Sequence, residues 1–237
     1  MTDTQDCGVI YTSMTGVGNV IENNYLHNSQ IYFSTGYGLY LDDGSSNYKI
    51  RNNIVADLQH EGKGLLSGVQ MIKSRKNELI NNFYVDNRSD KCAIATEAKV
   101  ADNHDEIIFE KNIVSDCGRN LHGQFRWNND RFKKCDNNLY YNSKGMYFMY
   151  NNDKAKDITE WKNIVTDWGK LDEHSIIDEY PGFVNEDNQD YRLRYDSPAY
   201  SIGIADINMK DIGLSENFPF TEKDDEIDRL YVISDTN

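Results

Sequence analysis

Ile50-Arg51-Asn52-Asn53-Ile54-Val55 decides how this chain folds, because the phrase recurs. Clear copies read Ile21-Glu22-Asn23-Asn24-Tyr25-Leu26 and Leu79-Ile80-Asn81-Asn82-Phe83-Tyr84. Weaker ones read Phe109-Glu110-Lys111-Asn112-Ile113-Val114 and Lys134-Cys135-Asp136-Asn137-Asn138-Leu139-Tyr140. Counted on the second Asn, the copies fall at 24, 53, 82, 112 and 138, in steps of 29, 29, 30 and 26. A steady period of this length signals stacked supersecondary units. Each period holds short β-rich runs between turn residues, without a helical pattern. Three strands and their turns fill one period, which is one coil of a right-handed parallel β-helix. The expected fold is an all-β solenoid of about five to six coils. Neighbouring coils would pair at about 4.8 Å and stack equivalent residues. Asn suits such a column: its amide hydrogen-bonds along the stack, and it tolerates the left-handed backbone of a tight turn. The Asn-Asn pairs are therefore read as structural.

One unit differs from the rest. Gly38-Leu39-Tyr40-Leu41-Asp42-Asp43-Gly44-Ser45-Ser46 is a short alternating strand that ends in paired carboxylates and a turn. With Leu39 and Leu41 inward, Asp42 points outward and Asp43 begins the turn. Counted from the Asn-Asn phrase, Ser13 of the preceding unit is level with Asp42. Asp6 lies on the preceding strand and approaches from the side. Asp6 with one of Asp42 and Asp43 is the candidate catalytic pair. The bland alternative is that the two aspartates cap a turn before Gly44.

Composition narrows the classes. The chain has 237 residues, a net charge of -14, 38% apolar and 12% aromatic residues, and a mean hydropathy of -0.73. This is polar, yet too aromatic and patterned for disorder, and it suits a narrow core column with much wet surface. The negative charge repels polyanions, so nucleic acid is not an expected partner. No apolar run approaches a membrane span. Cys7, Cys92, Cys117 and Cys135 lack metal-site spacing and form no disulfide framework, so they are read as small core residues. Two basic groups run against the trend: Lys73, Arg75 and Lys76, then Arg119, Arg126, Arg131, Lys133 and Lys134. They are read as solvated strand ends, with an acidic-sugar strip as the sharper alternative.

Residues 1–152 are assigned to the coils and 153–237 to a C-terminal cap on the same solenoid. Ala155–Val165 carries a short helical pattern, and residues 174–203 read as irregular chain folded over the last coil. Met1 is followed by Thr2-Asp3-Thr4-Gln5-Asp6, not by a signal-peptide core. The chain opens directly into a strand-like segment at Val9. A solenoid needs its ends covered, so upstream coils of a longer chain, or a partner, are expected there.

Asp6-Cys7-Gly8-Val9-Ile10-Tyr11-Thr12, the Gly38-to-Ser46 stretch, the Asn-Asn coils, His174-Ser175, Pro181-Gly182-Phe183-Val184, Asp190-Tyr191-Arg192-Leu193 and Ser197-Pro198-Ala199 together resemble the C-terminal half of secreted bacterial right-handed parallel β-helix proteins that include glycoside hydrolase family 141. The likeness runs from about residue 6 to about 214. It implies a secreted, periplasmic or cell-surface setting, a polysaccharide or oligosaccharide as partner, and acids of the two matched motifs as catalysts. Where such sequences often read Phe-His-Gln-His-Tyr-Gly, this chain has Val69-Gln70-Met71-Ile72-Lys73-Ser74. The missing histidines favour a second reading, a non-catalytic glycan-binding or structural β-helix. A polysaccharide lyase stays open, without a visible motif.

Glycoside hydrolysis needs two carboxyl groups flanking the scissile bond, one to donate a proton and one to attack or to activate water. A sugar site also needs amphipathic ring faces. Tyr11, Tyr37, Tyr40, Phe125 and Trp127 are candidates to line a groove, with Gln70 and Arg126 as hydrogen-bonding partners. Tyr11, Tyr40, Gln70, Arg126 and Trp127 make up the proposed substrate-binding set. No cofactor is expected. Calcium on Asp6, Asp42 and Asp43 is the one alternative that their carboxylates allow, and no repeated Asp-x-Asp ladder accompanies it. His122 and His174 are read as structural, and His60 as part of a loop overhanging the groove.

Overall fold

The computed structural model describes residues 6–31, 36–60, 66–72, 74–86, 94–97, 106–117, 122–125, 132–145, 148–150, 153–156, 159–160, 163 and 171–212. Almost all the regular structure is β. Cys7–Ser13, Gly36–Asp42, Leu66–Ile72, Ile94–Glu97 and His122–Phe125 form one parallel sheet, in that order. Val20–Glu22, Lys49–Arg51, Glu78–Ile80, Ile107–Glu110 and Phe132–Asp136 form a second. Tyr25–His27, Ile54–Ala56, Phe83–Val85, Ile113–Ser115, Leu139–Tyr141 and Ile176–Ile177 form a third. Each sheet takes one strand from each sequence repeat. The Asn-Asn pair is the corner between second and third strands, and Asn23, Asn52, Asn81 and Asn137 all adopt positive φ there.

The second Asn of each corner makes the column. Asn24, Asn53, Asn82 and Asn112 each donate Nδ2–H to the Oδ1 of the next, at 2.8, 2.9, 3.1 and 3.2 Å, ending on Asn138. That same Oδ1 also accepts the main-chain N–H of the preceding Asn. Asn53, Asn82, Asn112 and Asn138 are fully buried. Their amides survive burial because every donor and acceptor is met.

All three sheets face one apolar core. Leu39 and Leu41 of the first sheet, Ile50, Leu79 and Phe109 of the second, and Val55, Tyr84, Val114 and Tyr140 of the third share it. The middle strands of the third sheet, Ile54–Ala56, Phe83–Val85 and Ile113–Ser115, are buried on both faces. Ile54, Phe83, Ile113 and Leu139 point away from that core and meet Phe183, Tyr191, Leu193, Ala199, Ile204 and Ile207.

The C-terminal segment is thus a strap along a flank, where the sequence suggests chain folded over the last unit. Its beginning meets that end, through Ile176–Ile177 on Leu139–Tyr141. The described residues after it run back toward the first repeat: the Ala205 N–H donates to Asn81 Oδ1, Gln189 donates to Asn28, and Tyr191 packs on Tyr25. The cause is the uninterrupted apolar third strands, which expose an oily outer face unless something covers it. The 152/153 boundary falls inside an antiparallel hairpin of Phe148–Tyr150 with Asp153–Lys156. The helix expected over 155–165 is only partly matched. Ala155 and Lys156 are in that hairpin, while Thr159, Glu160 and Asn163 are helical. Trp161 and Val165 lie outside the described residues.

Candidate functional site

The acidic dipeptide closes the second strand of the first sheet, and the chain then turns. The Ser45 N–H and hydroxyl both donate to the Asp42 carbonyl, at 3.0 and 2.9 Å. Asp43, at φ 35°, begins the turn, and its N–H donates to Asp42 Oδ1 at 2.7 Å. Ser45 is fully buried and takes a hydrogen bond from Thr12. Ser46 accepts the Arg75 N–H. The serines of this motif therefore join one unit to its neighbours.

The carboxylates are gathered by tyrosines. Ser13 and Asp42 are level, as are Tyr11 and Tyr40 two residues earlier. The Tyr11 hydroxyl donates to Asp42 Oδ2 at 2.9 Å, and the Tyr40 hydroxyl to Asp6 Oδ1 at 3.3 Å. The two rings meet edge to face, 5.1 Å between centroids. Tyr11 is 48% exposed, while Tyr40 is 3% exposed and packed against Tyr37. Gly8 makes room for this. A Cβ there would stand 2.8 Å from the Tyr40 Cβ and 2.6 Å from the Ile10 carbonyl oxygen.

Electrostatics fix both phenols in their protonated form. The hydrogen bond to the Asp42 carboxylate raises the Tyr11 phenol, with burial adding to it. Burial raises the Tyr40 phenol well beyond its ordinary range, and the charges of Asp42 and Asp6 push the same way. Both tyrosines thus serve as donors to carboxylates. Asp6, Asp42, Tyr11 and Tyr40 form one polar cluster at the outermost two strands of the sheet. Asp43 is exposed and opens the turn, with its N–H on Asp42 Oδ1.

The chain matches no protein-family model, no curated protein and no solved structure. The site therefore rests on its own geometry.

The remaining candidates divide. Gln70 is level with Tyr40, so Tyr11, Tyr40 and Gln70 occupy one column across three strands. Arg126 and Trp127 lie outside the described residues, and Phe125 closes the strand His122–Phe125. Tyr40 offers no free ring face, which leaves Tyr11 as the exposed aromatic of the cluster. One acid was not singled out by sequence. Glu97 is level with Ile72, and Ile72 follows Met71, the partner of Leu41. Glu97 therefore falls in the Asp42 column two strands away, about 10 Å along the sheet. Counting back from the Asn-Asn phrase misses it, because the loops before that phrase differ in length.

Elsewhere, His174 is tied to the last unit. Asp136 accepts its main-chain N–H and meets its Nδ1, both at 2.7 Å. Cys117 and Cys135 are buried thiols, Cys7 is half-buried, and Cys92 lies outside the described residues. Among the described residues no group of three His, Cys, Asp or Glu side chains is placed to hold a metal ion. No helix among them is long and apolar enough to cross a membrane.

Proposed function

We propose that the chain is a right-handed parallel β-helix of about five to six coils and a glycoside hydrolase, with Asp6 and Asp42 as its catalytic pair. The fold reading is supported by three parallel sheets that each take one strand per repeat, and by the asparagine column through them. The observation that carries the activity is the convergence of two carboxylates, from separate units, on hydrogen-bonded Tyr11 and Tyr40. Such a pair supplies the proton donor and the nucleophile or base that glycosidic cleavage requires, with no cofactor. Tyr11 provides a ring face beside it, and Gln70 stands in the same column. Asp43 serves the turn. The substrate class is a polysaccharide or oligosaccharide, met outside the cell or at its surface.

A second reading, a glycan-binding module without turnover, is favoured by one observation. Both carboxylates already receive phenol hydrogen bonds, and the Tyr40 ring is enclosed. Reducing-end release from a panel of plant and mucin glycans separates the two. The hydrolase reading expects turnover that falls by about 10²–10⁴-fold in Asp6→Asn and Asp42→Asn, with the circular dichroism spectrum unchanged. Saturable glycan binding without release, equal in the wild type and both variants, overturns it.

A further inference from the structure

The two ends of the asparagine column are built differently. At the C-terminal end the column is stopped by dedicated polar groups. Asn138 donates its main-chain N–H to Ser175 Oγ at 2.9 Å and its carboxamide to Asp172 Oδ1 at 3.3 Å. Asp172 further accepts from Ser175 and Tyr140, at 2.8 and 3.0 Å. Ile176–Ile177 then covers the strand edge.

Among the described residues the opposite end has no such stop. Every later Oδ1 in the column takes a main-chain N–H and a carboxamide from the unit before it, but among the described residues nothing donates to Asn24 Oδ1. Cys7–Ser13, Val20–Glu22 and Tyr25–His27 are the outermost strands of their sheets on this side. Apolar side chains gather there in the open: Val9 is 37% exposed, Val20 48%, Met14 81% and Val17 84%. A finished solenoid end presents a polar face.

We propose that this edge is an internal joint that receives one more repeat unit of the same design, joined upstream in the polypeptide. The chemistry of the joint specifies the occupant. Asn24 Oδ1 needs an amide N–H and a carboxamide from one residue, which is what an Asn at the column position of a parallel unit delivers. A second copy meeting this edge head to head would run antiparallel and bring Asn24 Oδ1 against its own kind. A second copy meeting it tail first would present an end already closed by Asp172 and Ser175. The proposal rests on the stacking of repeats and is independent of catalysis at Asp6 and Asp42.

The test adds such a unit. A copy of residues 36–64 placed directly before Asp6 keeps the repeat in step, since Asp6 then takes the place of Leu65. The longer protein is expected to melt several degrees higher and to exchange its Val20–Leu26 amides at least tenfold more slowly. Asn24→Ala should then lower the melting temperature at least twice as much as in the shorter chain. Unchanged melting and exchange would overturn the proposal. A synthetic peptide of residues 36–64, added in trans, gives a reading that does not depend on folding the fusion. It is expected to slow Met14 oxidation several-fold, and no slowing counts against the joint. Sedimentation of the chain alone supplies the remaining outcome: a dimer whose formation protects Met14 would assign the edge to a second copy and overturn the upstream unit.

Discussion

Asp172 shows how one buried acid sets a pH response. Burial pushes its carboxyl up to about 6 from 3.8, and the hydrogen bonds from Ser175, Asn138, Tyr140 and Cys135 offset only part of that push. Between these values the folded chain holds a proton that the unfolded chain has released. Its contribution therefore weakens stability as pH rises from about 4 to about 6, by about 3 kcal/mol, and is flat above. Urea titrations at pH 4 to 7 should show this slope in the wild type and lose it in Asp172→Asn. Gly8 is a steric counterpart. Gly8→Ala forces the Ile10 carbonyl or Tyr40 to move and should cost about 1–3 kcal/mol, with a changed near-ultraviolet spectrum from the displaced tyrosine cluster. At this scale the sequence showed its acids but not their partners. Asp42 stood out because no other unit carries an Asp-Asp pair. That Tyr11 would bridge to it depends on one inter-strand register and a missing Cβ, and neither has a periodic signature.

At the scale of elements, the strength of each corner depends on where it stands in the column. Asn82 accepts from Asn53 and donates to the Ile50 carbonyl and to Asn112. Asn82→Ala strands several buried groups and should cost about 3–5 kcal/mol in urea denaturation. Asn24→Ala, at the open end, should cost about 1 kcal/mol. The corners were legible because a left-handed turn followed by a stacked amide leaves Asn at a fixed period. The strap was not. Its target is written in the third strands, where Ile54-Val55-Ala56 and Phe83-Tyr84-Val85 are apolar at every position instead of alternating. That pattern announces burial on both faces without saying what does the burying. Phe183 is 3% exposed against that outer face, beside Phe83. Phe183→Ala should cost about 3–5 kcal/mol and raise proteolysis within 183–207 before the column itself yields.

For the whole molecule, the proposed solenoid predicts stability that accrues unit by unit, and the candidate site depends on the register of the first two units. Asp6 and Asp42 reach the neighbouring Tyr40 and Tyr11 because the strand from Cys7 lies directly beside the strand from Gly36. Excision tests this architecture most directly. Removing residues 53–81 takes out one period and rejoins Asn52 to Asn82, which restores the phrase. Removing residues 53–76 takes out a part-period and breaks the register. The in-period deletion should keep a β-rich circular dichroism spectrum and a cooperative melt at a lower temperature, while the part-period deletion should lose both. Two equally folded or two equally unfolded products would contradict a stack of interchangeable units, and with it the framework that brings Asp6 to Asp42.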